Sequence, residues 1–218
     1  MSSSKQKLVS FGKKAAVAIP LGLAAYVMTW VSQLSFIALV GIAGVMSQRE
    51  LRGLVRRHGT HPLIRREQLF VSTGLLTAIV TRFINLPLTV AIGLSAFAND
   101  IAASVGGMFF GKKFMRKGLS PHSRNKSWEG AAVGFVVGTT TFCLLMGGVN
   151  WRTLVTGALA SVAGIRGDLQ ESQMKRALDI KDVGTGLGAH GGWTDRIDNV
   201  VRAYLVGGPV YWLLGVIA

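Results

Sequence analysis

Apolar residues in this chain come in long runs broken by short charged stretches. Residues 15–46 are apolar for longer than one crossing needs; a bilayer span takes roughly 20 residues. That excess predicts two tight helices breaking near Thr29 to Ser35. Pro20 and Gly22 are tolerable inside a membrane helix, where neighbouring groups re-satisfy the freed backbone. Shorter apolar runs follow at 69–81 and 84–98, on either side of a nearly uncharged turn, 82–87. Three more lie at 130–148, 152–165 and from about Val200 to Ala218. Gly134 with Gly138, and Gly157 with Ser161, are small residues four apart, a pattern for close helix packing rather than catalysis.

Composition turns this pattern into a class. Half of the 218 residues are hydrophobic, 16% are charged and the mean hydropathy is +0.42. The expectation is an all-α, polytopic membrane bundle of about seven transmembrane helices, one domain over residues 1–218. Within it, 1–98 supply N-terminal spans, 99–198 the region expected to hold the polar motifs and any catalytic site, and 199–218 the last span. Lys5, Lys7, Lys13 and Lys14 precede the first run without a small-residue cleavage site, which reads as an uncleaved first span.

The net charge of +14 does not require a nucleic-acid partner, and none is expected. With the N-terminus inside, the segments 1–14, 49–68, 112–129 and 166–198 face the cytoplasm and hold nearly all the Lys and Arg. The outer turns, 82–87 and 147–152, hold one Arg each. That is the positive-inside asymmetry, and it favours anionic membrane lipids as neighbours. The expected place is the bacterial cytoplasmic (inner) membrane, with the active site on its cytoplasmic side. Cys143 stands alone, so there is no disulfide framework and no cysteine metal site.

Candidate chemistry concentrates in Asp168 to Asp198. Six of the ten acidic residues lie there: Asp168, Glu171, Asp179, Asp182, Asp195 and Asp198. They are interleaved with Lys175, Arg176, Lys181, His190 and Arg196, a mixture that suits a divalent cation with a polyphosphate. Asp168, Ser172, Lys175, Asp179 and Asp182 would share one face of a helix. Asp195 and Asp198 would share another. The glycine-rich run between these acidic ends lets the backbone turn and approach a ligand closely. A charged loop between two helices, or an amphipathic helix with a wet face, has the same composition. Asp100, at the end of a membrane run, is a second candidate, because a carboxylate there is costly unless paired or solvated.

The spacing Ser172, Lys175-Arg176, Lys181-Asp182, Gly184, His190-Gly191-Gly192, Asp195-Arg196 and Ile197-Asp198 resembles the signature of the phosphatidate cytidylyltransferases. Trp193 departs from it, standing where an aliphatic residue is usual. Asp100, Ala103, Gly107 and Phe110-Gly111-Lys112 resemble a further family element, with Ser104 in place of its Tyr. Ser120-Pro121 with Lys126, Ser127 and Glu129-Gly130 resembles a third, with extra residues after the Pro. Glu50 is a single-residue match. Ser127 and Glu129 also fit a helix N-terminus, as cap and as a carboxylate favoured by the dipole. The chain is shorter than common family members, so some N-terminal spans are expected to be missing.

The resemblance implies transfer of CMP from CTP to phosphatidate or a related lipid phosphate, giving CDP-diacylglycerol and pyrophosphate, with Mg²⁺ and room for a second cation. The nucleophile would be the lipid's own phosphate, whose second pKa near 6 leaves it largely dianionic at neutral pH. The protein then has to neutralise charge and align the reacting groups. Asp182 and Asp195 are the first candidates for metal ligands, with Asp168 and Asp198 next. Lys126, Lys175, Arg176 and Arg196 are candidates for phosphate contacts, and Ser127, Glu129, Ser172, Lys181, His190, Gly191 and Asp100 for substrate binding. CDP-archaeol synthase and CTP-dependent polyprenol or phytol kinases are the enzymatic alternatives. A membrane transporter or scaffold with a degenerate site is the non-enzymatic one. A homodimer stays open.

Overall fold

The structure is a computed structural model. It describes residues 23, 26–111, 118–121, 123, 126–187 and 191–217. Most of the expected first span, the lysines before it and His190 lie outside the described residues. Helical residues 26–31 lead into six bounded helices. These are α1 (Gln33–His58), α2 (Pro62–Ile84), α3 (Leu86–Phe110), α4 (Trp128–Leu145), α5 (Trp151–Ala177) and α6 (Thr194–Ile217).

The expected break near Thr29 to Ser35 falls at Ser32. Its hydroxyl accepts from the Ser35 amide at 3.0 Å while the Ser35 hydroxyl accepts from the Ser32 amide at 3.1 Å, a reciprocal cap. The turn expected at 82–87 is a single residue, Asn85, whose side chain caps Leu88 at 2.8 Å. Ser127 caps α4 through Gly130, as the N-terminal reading of that residue anticipates.

Three elements run further than hydropathy suggests. α1 continues through the arginines to His58, and α2 starts at Pro62, so the basic stretch 49–68 is a helical hairpin with its turn at Gly59. α3 runs ten residues beyond Asp100, to Phe110. α5 carries the short apolar run 152–165 straight on to Ala177. In each case buried positions continue at helical spacing past the end of the apolar run. Leu51, Leu54, Ile64, Val71, Met174, Leu178 and Val183 form a second core at this end of the bundle. Arg, Leu, Gln and Met are good helix formers, so such a stripe keeps the helix going.

α1, α3, α4 and α6 are each long and apolar enough to cross a membrane. α2 and α5 carry charged ends, which is why their apolar runs look short. The all-α membrane bundle expected from hydropathy is therefore what forms. Its main core joins Phe36, Val40, Leu88, Ile92, Phe142 and Tyr204. Small residues set the closest approaches. A Cβ on Gly134 would lie 2.6 Å from the Asn99 side-chain oxygen and 2.8 Å from Ala103, and one on Gly138 2.8 Å from Ser161. These glycines pack helices, as their spacing predicts.

The two ends of the bundle differ. At one, Arg82 donates to the Thr29 carbonyl at 3.2 Å, and Arg152 lies 3.7 Å over the Tyr211 ring and donates to the Tyr211 carbonyl. Each cation of the two short turns is thus held by the protein. The other end gathers the C-termini of α1, α3 and α5 with the N-termini of α2, α4 and α6, and the polar motifs lie there.

Candidate active site at the polar end of the bundle

α5 supplies one wall. Asp168, Glu171, Ser172 and Lys175 follow at three- and four-residue steps, so they share a face. That face does not reach Asp179 and Asp182, as the sequence pattern suggests it should. The helix stops at Ala177, and Asp179 takes a left-handed backbone, φ 52°, with the Ile180 amide returning to the Lys175 carbonyl at 2.9 Å. Asp is among the few side chains that tolerate this conformation. Asp179 and Asp182 are therefore on the exposed turn after the helix.

α6 supplies the facing wall. Its first turn carries Asp195, and Asp198 lies one turn further in. Asp168, Glu171 and Asp198 each present an oxygen such that all three lie within 4.8 Å of one another. Glu171 is 1% exposed and Asp198 5%. One oxygen of each, Glu171 Oε1 and Asp198 Oδ2, is buried and finds no donor among the described residues. Buried carboxylate oxygens without donors are costly. Burial, reinforced by the neighbouring Asp198, holds the Glu171 carboxyl well above the usual carboxylate range, with Lys175 opposing.

Two lysines flank the cluster. Lys175 bridges Glu171 and Asp195, 2.8 Å from each. Burial works against its charge, but these two carboxylates outweigh burial and hold the ammonium above its usual range. Lys126, just before α4, pairs with Asp168 and donates to the Asp168 carbonyl at 3.2 Å and to Ser172 Oγ at 3.3 Å.

The glycine-rich loop closes the third side. Asp195 Oδ2 accepts from the Val183 and Gly192 amides at 3.0 and 2.9 Å. Asp182 and Asp195 both lie beside Gly191: a Cβ there, at φ 84°, would lie 3.2 Å from an oxygen of Asp182 and 3.3 Å from one of Asp195. Both oxygens of Asp195 are already engaged, one with Lys175 and one with the loop. Outside the loop, a cavity of about 320 Å³ opens against α1, with Arg49, Arg57, Thr185 and Trp193 in its wall. The carboxylate cluster does not line it.

The structure thus brings together Lys126, Asp168, Glu171, Ser172, Lys175, Asp195 and Asp198, with Asp182 beside Gly191. Arg176 is exposed at the end of α5, Lys181 is exposed on the turn after it, and Asp100 is exposed on α3. Arg196 and Glu129 are part-buried in the first turns of their helices. Three charged groups enter that sequence reasoning left unassigned. Glu50 accepts from the Trp193 amide at 2.9 Å and from the Thr194 amide and hydroxyl at 3.0 Å each. Glu67 on α2 and Arg202 on α6 form a buried pair, 2.5 and 2.7 Å between Nη2 and the two carboxylate oxygens. Arg202 also donates to the Asp198 carbonyl at 3.0 Å.

The model of the cytidylyltransferase family matches residues 67–214, which span α2 to α6. The phosphatidate cytidylyltransferase of Mycobacterium leprae is 39% identical over 125 residues, 56% of this chain and 39% of that protein. That of Mycobacterium bovis is 38% identical over 125 residues, 56% of this chain and 40% of the relative. That of Helicobacter pylori is 34% identical over 105 residues, 46% of this chain and 40% of the relative. The matched part spans about two fifths of each of these relatives. With the family model covering more than half of the sequence, over the helices that build the carboxylate site, the chain belongs to the cytidylyltransferase family.

Proposed function

We propose that the chain transfers CMP from CTP to phosphatidate, giving CDP-diacylglycerol and pyrophosphate, at the polar end of the bundle on the cytoplasmic side of the membrane. An oxygen of the lipid phosphate attacks the α-phosphorus of CTP. The new P–O bond forms as the bond to the β-phosphate's bridging oxygen breaks, and pyrophosphate leaves with that electron pair. The lipid phosphate is its own nucleophile, so no protein base is required.

One observation carries the reading. Three carboxylates converge in the site, two of them buried with an oxygen that no donor among the described residues meets. An all-oxygen site of this kind fits Mg²⁺, a hard cation that binds carboxylate oxygens and fills the rest of its shell with phosphate and water. We assign Asp168, Glu171 and Asp198 to hold it; when bound, it neutralises charge on the transferring phosphoryl group. Asp195 instead orients Lys175 and the loop, and Asp182, exposed beside Gly191, is the carboxylate open to a second cation. Lys126 and Lys175 supply positive charge for the triphosphate, and Ser172 orients Lys126. The polar end abuts the apolar helices, so the lipid can present its phosphate from the bilayer while CTP arrives from water.

Purified protein supplied with CTP labelled at the α- or the γ-phosphate, and with a panel of lipids, tests this. Label from the α-position should enter phosphatidate, with pyrophosphate released. Label from the γ-position in a polyprenol or phytol would make it a kinase. Transfer only to an ether-linked archaeal lipid phosphate would make it a CDP-archaeol synthase. Binding without transfer to any lipid would favour a degenerate scaffold.

A further inference from the structure

Glu50 sits on α1, 143 residues from the nearest partner of its side chain. Its oxygens accept the Trp193 and Thr194 amides and the Thr194 hydroxyl, all at 2.9–3.0 Å. It therefore occupies the start of α6, where unsatisfied amides and the helix dipole favour an anion. Arg49 and Arg57 line the same cavity, yet the carboxylate is spent on backbone.

The glycines point the same way. A Cβ on Gly184, Gly186 or Gly192 would meet the Glu50 carboxylate group at 2.5, 2.7 or 2.5 Å. The close approach that this glycine-rich run permits is, at these three positions, an approach to the protein's own carboxylate. Gly192 lies between two anions: its amide donates to Asp195 at 2.9 Å while its α-carbon faces Glu50. The peptide units between Gly192 and Thr194 join the two carboxylates, and they lead directly into the turn that bears Asp195 and Asp198.

We propose that Glu50 is a positioning residue: it acts as a built-in anion that presets the glycine-rich loop and the first turn of α6, and so holds Asp195 and Asp198 where the cation and Lys175 need them. The cation's part in this rests on the transferase reading above.

The test uses the full chain in detergent, with Glu50→Gln, Glu50→Asp and Gly184→Ala. The glutamine keeps the shape but turns an amide donor toward amide donors. Hydrogen exchange over 183–194 should quicken in Glu50→Gln. Mn²⁺ binding, read by electron paramagnetic resonance without substrate, should weaken about 10- to 100-fold, as for loss of a group that orients metal ligands. The Mg²⁺ concentration for half-maximal turnover should rise with it. Glu50→Asp should fall between wild type and Glu50→Gln. Gly184→Ala, which crowds the carboxylate, should reproduce the effect, and the double variant should be no worse than the worse single one. Wild-type Mn²⁺ affinity and Mg²⁺ requirement in the folded fraction of Glu50→Gln, even with a lowered melting point, would overturn the proposal. A wild-type protein that transfers no CMP would refute the transferase reading instead, with exchange and Mn²⁺ binding still deciding on Glu50.

Discussion

A buried carboxylate oxygen without a donor is a burden to the fold, and Glu171 and Asp198 each carry one such oxygen at the same spot among the described residues. A group kept for stability would have its lone pairs met. Glu171→Gln and Asp198→Asn should therefore each lower turnover on the order of 10²-fold or more, the scale for removing a strong electrostatic contact at a reacting centre. Their combination should cost far less than the product, because one cation serves both. Steady-state kinetics against Mg²⁺ check this, and additive losses would separate the two residues. The concentration of acidic residues at 168–198 is visible in the sequence, and so is the three-residue step from Asp168 to Glu171. What the sequence hides is which oxygens are already spent. Asp195 looks as eligible as Asp198 until the Lys175 ammonium and two loop amides are seen on it.

Among elements, α4 packs closely against α3. Gly130 faces α3 backbone, and Gly134 faces α3 backbone, the Ala103 methyl and the Asn99 side chain, which is held by its bond to the Ser161 carbonyl. Gly134→Ala should lower stability by about 1–3 kcal/mol through overpacking. Gly41→Ala, on a part of α1 with nothing within 4 Å of the new methyl, should be neutral or slightly stabilising, since Ala outranks Gly in helices. Thermal unfolding in detergent separates the two; equal shifts would mean that α3 and α4 are not so closely packed. The small-residue spacing announces this contact. Helix ends are less legible. Hydropathy marks where lipid stops, whereas the helices stop where buried contacts stop. α5 leaves its apolar run near residue 165 but keeps Gly167, Glu171 and Met174 buried to the end of the helix.

Over the whole molecule, charge separates the ends. The polar end holds the acidic cluster and the arginine hairpin, while the other holds Arg82 and Arg152, both tied to protein groups. Single cysteines placed at Ser123 and at Thr185, exposed on the glycine-rich loop, should react with impermeant maleimide only from the cytoplasmic face. The native Cys143 is buried and the only cysteine, so it gives little background. Labelling of either site from the opposite face would invert the arrangement. This polarity can be read from Lys and Arg positions alone. The ties of Glu50 and Glu67 to α6 cannot, because each spans more than 130 residues with no local pattern to mark it.

The Glu67–Arg202 pair has a consequence for how the protein is made. Chains emerge from the ribosome in order, so α2 enters the membrane while Arg202 is still unsynthesised. Until α6 arrives, Glu67 waits in a nascent bundle without its guanidinium, and burying a lone carboxylate there is costly. Arrival of α6 supplies Arg202 to Glu67, the Thr194 amide to Glu50 and Asp198 to the acidic cluster. Synthesis of α6 thus delivers three partners at once, and a chain stalled before α6 cannot assemble the site.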